Sequence, residues 1–176
     1  MANLKLGDRA IDFNLIGVDD KTHSLSDYAN KHLVVIFSCN HCPYVRAWED
    51  RLVKIQADYA NRNVQLIAIN ANDASKSPDD DFPNMKERAR LKKFNFPYLH
   101  DKEQKVAGSY GAQRTPEVFL FDVQKILRYH GTIDDNYDDP NAVKVHYVRN
   151  ALDALLQNKK VTLGETEPVG CTIKWK

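Results

Sequence analysis

A chain of 176 residues, 43% of them hydrophobic, is long enough to bury one sizeable core without disulfide staples. Its 25 basic and 24 acidic residues leave a net charge of +1, which argues against a nucleic-acid or anionic-membrane surface, and three cysteines are too few for a disulfide scaffold. Residues 1–8 lack the apolar core of a signal peptide, and no stretch approaches the ~20 apolar residues of a membrane span. We therefore expect a cytoplasmic protein whose partners include neither nucleic acid nor membrane.

The first part of the chain predicts a hairpin, a short helix and a buried strand that leads into a long helix. Extended segments on both sides of the turn-prone residues 19–21 predict a β-hairpin within an N-terminal extension, 1–32, and Ser24 begins a brief helix. The unbroken apolar run 33–37 predicts a buried, parallel strand. Pro43 suits the first position of the next helix. That helix has apolar residues at the three-four spacing of an amphipathic helix: Val45, Trp48, Leu52, Ile55 and Tyr59.

The middle of the chain predicts a second buried strand followed by a long surface loop. The strand covers 64–70, which is almost entirely apolar. Residues 71–83 contain Ser, Asn, Asp and two prolines, and they predict an irregular loop insertion. The three aspartates at 79–81 are interpreted as exposed loop charges.

Four further elements are predicted after the loop, namely helices over 84–95 and 102–110 and an antiparallel hairpin of strands over 117–122 and 126–130. Asn84 suits the N-cap of the first helix, and Gly111 suits the C-cap of the second. Pro140 is predicted to open the last helix, and a polar C-terminal tail covers 158–176. The order of elements predicts a single α/β domain, 1–176, in which helices flank both faces of a central mixed sheet.

Two cysteines lie where the strand over 33–37 gives way to the long helix. Cys39 and Cys42 therefore sit at or just before a helix N-terminus, where the helix dipole and unpaired N–H groups stabilise a thiolate. A Cys-x-x-Cys pair in this context predicts a redox dithiol, with a structural zinc site or an inert pair as alternatives. His41 lies between the two thiols, where its imidazole can stabilise a thiolate and make the pair more oxidising. The alternative is that His41 is a solvent-exposed turn residue.

The order of elements, the placement of the dithiol and a Thr-Pro that opens a later strand resemble the thioredoxin fold. Three segments, at 10–13, 24–28 and 96–101, are similar to the peroxiredoxin and TlpA/ResA-like branches of that superfamily. More closely, three motifs resemble a bacterial "peroxiredoxin-like", AhpC/TSA-related group: CNHCPYV at 39–45, TPEVF at 115–119 and GCTIKW at 170–175. The resemblance implies a thioredoxin-like fold with an N-terminal β-hairpin extension, and we expect neither a cofactor nor a metal.

The resemblance also implies roles for individual residues. Cys39 is expected to be the exposed nucleophile with the low pKa, and Cys42 the shielded resolving thiol, which agrees with their positions at the turn and on the helix. Thr115 and Pro116 match a cis-proline turn whose backbone edge binds an extended substrate. Arg114 is a candidate for holding a thiolate or a peroxide, although surface arginines are common.

Two positions depart from the family patterns. Thioredoxins carry a buried acid six residues before the first cysteine, where this chain has Leu33, and Glu117 is the candidate proton relay in its place. Peroxiredoxins carry a hydroxyl residue three positions before the reactive cysteine, and the corresponding residues here are Ile36 and Cys39. The motif therefore does not support peroxidase chemistry.

Cys171 lies in the polar tail, and two interpretations of it stay open. It is either a third redox thiol that folds back to the pair or an inert cysteine. The inert interpretation is favoured, because ordering a tail costs about 1–2 kcal/mol per fixed residue.

The leading functional hypothesis is a thiol–disulfide oxidoreductase. Its partners would be a disulfide-containing protein or small molecule and a cellular thiol reductant or oxidant. The alternatives are a thiol-dependent peroxidase with an antioxidant role and a non-enzymatic module that binds a metal or a partner through the dithiol.

Overall fold

The computed structural model describes residues 3–176, so the first two residues of the predicted N-terminal extension lie outside it. The main sheet has seven strands in the order β2-β1-β5-β4-β3-β7-β8, and β6 and β9 form a separate two-stranded sheet. The strands are β1 (Asn14–Gly17), β2 (Thr22–Ser24), β3 (His32–Ser38), β4 (Val64–Asn70), β5 (Tyr98–His100), β6 (Arg114–Thr115), β7 (Glu117–Phe121), β8 (Leu127–Gly131) and β9 (Cys171–Thr172). The helices are α1 (Pro43–Tyr59), α2 (Phe82–Leu91), α3 (Lys105–Tyr110) and α4 (Tyr147–Leu156).

The strand before the dithiol, β3, is an inner strand of the main sheet. β3 pairs in parallel with β4, where Val35 lies opposite Ile67, and antiparallel with β7, where Val35 lies opposite Phe119. All five residues of the run 33–37 are fully buried because helices or the tail cover both faces of the strand. The predicted mixed sheet is confirmed, with a parallel neighbour on one side of β3 only.

Two hydrophobic layers enclose the sheet. The helices α1, α2 and α4 pack on one face, and α3, the 3-10 helix Leu25–Tyr28 and the C-terminal tail pack on the other. The apolar positions predicted for α1 are all buried, so the three-four spacing identified its inner face correctly. Each large side chain buried in this way stabilises the fold by about 1.5–3 kcal/mol.

The predicted boundaries are confirmed at several elements and wrong at the two ends of α2, predicted over 84–95, and at the start of α3, predicted at 102. The N-terminal hairpin, β4 and the β7–β8 hairpin form as predicted, and Gly111 ends α3 with φ 75°. The segment 71–83 is not wholly irregular, because it holds the 3-10 helix Pro78–Asp80 and the start of α2. The N-cap of α2 is Asp81, whose side chain accepts the N–H of Asn84 at 2.8 Å, so Asn84 is not the cap.

The start of the last helix also differs from the prediction. Pro140 opens only a 3-10 helix, Pro140–Ala142, and α4 begins at Tyr147. The backbone of Val143 is extended, which ends the first turn before it can grow into an α-helix.

The C-terminal tail is an ordered part of the fold. β9 pairs with β6 in antiparallel register, so that Cys171 lies opposite Thr115. Ile173 is 4% exposed and packs in the same hydrophobic layer as α3. Within residues 3–176, we find no helix that combines the length and the apolar character needed to cross a membrane.

Candidate active site

The dithiol lies at the carboxyl end of the central strand. Cys39 directly follows β3, and Cys42 is the N-cap of α1 with Pro43 at the first helical position, as the sequence predicts. Cys39 was predicted to be exposed, and this prediction is wrong. Its accessible surface is 2% and that of Cys42 is 0%, so both thiols are buried.

Thr115 contacts both sulfurs of the pair. Its hydroxyl Oγ1 lies 3.4 Å from Cys39 Sγ, and its carbonyl oxygen lies 3.2 Å from Cys42 Sγ. The Thr115–Pro116 peptide bond is cis, as the resemblance implies. The turn before β7 therefore faces the dithiol directly.

The tail brings a third sulfur to the site. Cys171 Sγ lies 2.8 Å from Cys42 Sγ, and the Cys171 side chain is half-buried. The cause is the pairing of β9 with β6, which fixes Cys171 opposite Thr115. Cys171 therefore lies beside the pair, and the expectation that it is inert stays a prediction.

The hydrogen bond between Cys39 and Cys42 moves the pKa values of the two thiols in opposite directions. It outweighs burial and, together with the contact with Cys171, lowers the pKa of Cys42 to about 4. The same hydrogen bond, together with burial and the nearby Asp80 charge, raises the pKa of Cys39. Burial and the contact with Cys42 raise the pKa of Cys171 to about 11. These directions are the reverse of the order that the sequence predicts, in which Cys39 is the low-pKa thiol.

His41 is anchored by a buried carboxylate. Its Nδ1 lies 2.6 Å from Asp80 Oδ2 and 3.0 Å from Ser77 Oγ, and Ser77 donates to the same carboxylate oxygen at 2.7 Å. With an ionised Asp80 as the acceptor, Nδ1 is a ring nitrogen that carries a proton.

Asp80 is fully buried and linked to the residue next to Cys39. It accepts the backbone N–H of Asn40 at 2.6 Å and side-chain N–H groups of Asn70 at 3.1 Å and Asn72 at 2.9 Å. Burial raises the pKa of Asp80, but these hydrogen bonds and that of Ser77 outweigh it and hold the pKa below its ordinary value. The interpretation of Asp80 as an exposed loop charge is wrong.

A signal for this network was present in the sequence. Asn40, Asn70 and Asn72 follow or end the two apolar strands β3 and β4, whose carboxyl ends meet because the strands are parallel. Buried amides at one sheet edge need partners, and a nearby carboxylate satisfies several of them at once.

One group of residues has the composition of a metal site. Among residues 3–176, Cys39, His41 and Asp80 each place one ligand-type atom within 4.8 Å of the other two. Asp80, however, already accepts hydrogen bonds from five donor groups, which a metal ion would have to replace. The donor set therefore fits a hydrogen-bonded network better than a metal centre.

Glu117 and Arg114 lie at the same turn but make other contacts. Glu117 is 3% exposed and accepts the backbone N–H groups of Gln113 at 2.7 Å and Arg114 at 2.8 Å, and it pairs with His130 Nε2 at 2.8 Å. Within residues 3–176 it makes no hydrogen bond to a thiol, so its role as a proton relay stays a prediction. The exposed Arg114 side chain reaches the tail, where it donates to Gly170 O at 3.4 Å.

Comparisons with known proteins agree with this geometry. The model of the AhpC/TSA family matches residues 6–130. The thiol-disulfide oxidoreductase ResA of Geobacillus thermodenitrificans is 28% identical over 137 residues, which are 74% of this chain and 73% of that protein.

Two solved structures show the same architecture. An uncharacterized conserved protein from Geobacillus kaustophilus superposes with a TM-score of 0.92 at 39% identity, over 98% of this chain and 93% of the other. The thioredoxin domain of a thiol-disulfide oxidoreductase from Bacteroides vulgatus gives a TM-score of 0.62 at 19% identity, over 71% of this chain and 86% of that one, and it shows the fold.

Proposed function

This chain belongs to the AhpC/TSA family and is a thiol–disulfide oxidoreductase with a thioredoxin-like fold, and we propose that it works by exchange between its Cys39–Cys42 dithiol and the disulfide of a protein or small molecule. The observation that carries this proposal is the contact of Thr115 with both sulfurs at the carboxyl end of β3. The dithiol and the turn before β7 are thereby joined in one place, and β9 already pairs with the backbone edge of that turn.

In the proposed exchange Cys39 reacts first and Cys42 second, and a proton passes between the two thiols. Cys39 passes its proton to Cys42 as it attacks one sulfur of the substrate disulfide, and the other substrate sulfur leaves as a thiolate that takes up a proton. Cys42 then attacks the Cys39 sulfur of the mixed disulfide and releases the second substrate thiol. Two electrons have moved from the dithiol to the substrate, one of the two protons on the released thiols comes from Cys39 by way of Cys42 and the other from solvent, and the protein holds a Cys39–Cys42 disulfide.

The His41–Asp80 pair supports the first step. One ring nitrogen of His41 lies within 4.8 Å of Cys39 Sγ, and Asp80 fixes the orientation of the imidazole through Nδ1. Asp80 therefore holds the imidazole beside Cys39, in the same way that a carboxylate orients a histidine beside other nucleophiles.

The rate of disulfide reduction by the wild-type protein and by variants that lack one cysteine of the pair tests the function. Reduced wild-type protein is expected to reduce an insulin-type disulfide, and Cys39→Ser and Cys42→Ser are each expected to lose turnover by at least about a hundredfold. Hydrogen peroxide consumption is measured in parallel. Rapid peroxide turnover without insulin reduction would replace the proposed function by the peroxidase alternative.

The placement of the charge has its own test. Thiolate absorbance followed against pH is expected to show one thiolate that persists below neutral pH, with a pKa of about 4 for Cys42. This thiolate should vanish in Cys42→Ser. If the low-pKa thiolate is instead lost in Cys39→Ser and kept in Cys42→Ser, Cys39 is the thiol with the low pKa.

The cellular setting stays part of the proposal. A cytoplasmic location and an antioxidant role are expectations from the sequence, and fractionation of cells that express the tagged full-length protein tests the first of them. The proposed partners are a disulfide substrate and a thiol donor of electrons.

A further inference from the structure

The C-terminal tail crosses the turn that faces the dithiol, and its position is fixed at several points. β9 places Cys171 opposite Thr115 in an antiparallel pair. Gly170 lies so close to the Thr115 carbonyl that a Cβ there would collide with it. Beyond β9 the tail is held by hydrogen bonds from Ile173 N to Gln113 O (3.0 Å), from Lys174 N to Asn72 Oδ1 (2.9 Å) and from Asp73 N to Lys174 O (2.8 Å).

The three sulfurs differ in their access to solvent. Cys39 is 2% exposed and Cys42 is 0% exposed, whereas Cys171 is only half-buried. Cys171 Sγ already lies 2.8 Å from Cys42 Sγ, and a disulfide bond of about 2 Å requires the two sulfurs to move less than about 1 Å closer. A disulfide held by Cys171 is therefore easier for an external thiol to reach than one held within the Cys39–Cys42 pair.

We propose that Cys171 is the thiol through which the oxidised protein is reduced again. The idea rests on the proposed function, because that exchange supplies the Cys39–Cys42 disulfide. This disulfide moves to Cys42–Cys171, and a dithiol reductant then attacks the Cys171 sulfur. The substrate and the reductant thus meet the protein at different sulfurs.

Each step balances in atoms and electrons. The Cys171 thiolate attacks Cys42, the Cys39–Cys42 bond breaks, and Cys39 leaves with the electron pair and takes the proton that Cys171 lost. One thiolate of the reductant attacks Cys171 and expels Cys42 as a thiolate. The second thiol of the reductant attacks the mixed disulfide and releases Cys171, so that the reductant ends as a disulfide and the protein as three thiols.

The pKa of Cys42 favours the attack of the reductant on Cys171. A thiol with a low pKa leaves faster in disulfide exchange, and the pKa of Cys42 is lowered to about 4. Attack on Cys171 therefore expels the best leaving group of the three. Attack on Cys39 would also expel Cys42, but Cys39 is 2% exposed and Cys171 is half-buried, so Cys171 is the easier of the two sulfurs for a small dithiol to reach.

Disulfide mapping in Cys39→Ser tests the transfer, because only Cys42 and Cys171 remain. After oxidation with diamide, peptide mass mapping is expected to find an intramolecular Cys42–Cys171 disulfide in most molecules.

Adding Gly170→Ala to this variant should slow the formation of that disulfide at least about tenfold, because the tail cannot then lie against Thr115. Gly108→Ala is the matched control, because a Cβ there meets nothing within 4 Å. Two free thiols, or links between molecules only, would overturn the proposal.

The rate of reduction tests the role of Cys171 in the wild-type cycle. Oxidised Cys171→Ser is expected to be reduced by dithiothreitol at least about tenfold more slowly than oxidised wild type, with Thr172→Ser as the control on the same strand. A rate within about twofold of wild type would also overturn the proposal. Insulin reduction by pre-reduced wild type is a separate assay, and its absence would contradict the proposed function rather than the Cys42–Cys171 contact.

Discussion

Two buried carboxylates lie near the dithiol, and the regions around them have different tasks. Asp80, at the carboxyl ends of β3 and β4, accepts the N–H of Asn40 beside Cys39 and the imidazole of His41. Glu117, at the start of β7, accepts two backbone N–H groups of the turn before Thr115 and pairs with His130. Asp80 is therefore linked to the reacting thiol, whereas Glu117 fixes the shape of the turn that faces it.

The comparison shows that burial alone does not identify a carboxylate that takes part in the chemistry. Both side chains are almost inaccessible, at 0% for Asp80 and 3% for Glu117. The difference lies in the donors. Asp80 is bound to Asn40 and His41, the two residues that follow Cys39, whereas Glu117 is bound to the turn before Thr115 and to His130 on β8. Four predictions sharpen this contrast.

The largest effect is expected for Asp80→Asn. The amide that replaces one carboxylate oxygen turns an acceptor into a donor and faces donors that it cannot satisfy, which should lower the free energy of unfolding by about 3–5 kcal/mol. The pKa of Asp80 is lowered in the fold, so its stabilisation is present above its ordinary value of 3.8 and is lost as the pH falls through the folded value. Urea denaturation at neutral and acid pH should therefore show a deficit that shrinks in acid. A variant as stable as wild type at neutral pH would contradict the network.

Glu117→Gln should cost less, about 1–3 kcal/mol, because the remaining amide oxygen still accepts backbone N–H groups of the turn. The variant should also keep the thiolate pKa of Cys42, since no hydrogen bond joins Glu117 to a thiol within residues 3–176. Urea denaturation and thiolate absorbance measure the two quantities. A shifted thiolate pKa with unchanged stability would instead support Glu117 as the proton relay.

His41→Ala should make the pair more reducing by about 30 mV, which corresponds to about 1.4 kcal/mol for this two-electron couple. The reason is that the imidazole anchored on Asp80 favours the reduced, thiolate-bearing form. Equilibration with glutathione buffers measures the potential. A value within about 10 mV of wild type would show that His41 is a turn residue without a redox role.

The smallest effect is expected from His130. Burial lowers the pKa of His130, but the hydrogen bond and charge of Glu117 outweigh it and raise the pKa above its ordinary value of 6.5. The pair therefore contributes stability that is fully present below 6.5 and is lost as the pH rises through the folded-state pKa. Thermal unfolding across this range should show the decline in wild type and its absence in His130→Gln. An equal decline in both proteins would assign it to another group.

The sequence by itself determined the elements that local patterns describe. The apolar runs at 33–37 and 64–70 identify the two central strands, and the three-four spacing after Pro43 identifies the buried face of α1. The Cys-x-x-Cys between them is placed correctly because a strand end and a helix start are both local features.

Only the tertiary structure decided which distant groups meet at the thiols. Asp80 lies 39 residues from His41 in the chain, and Cys171 lies 129 residues from Cys42. An aspartate among prolines and asparagines has the local signature of an exposed loop, and its burial depends on amides that the parallel pairing of β3 and β4 brings together. In the same way, the polar composition of the tail conceals that a two-residue strand and one buried side chain, Ile173, are enough to hold Cys171 against Cys42. Periodicity reports which face of an element is buried, but hydrogen bonds and sulfur contacts between elements are set by their packing.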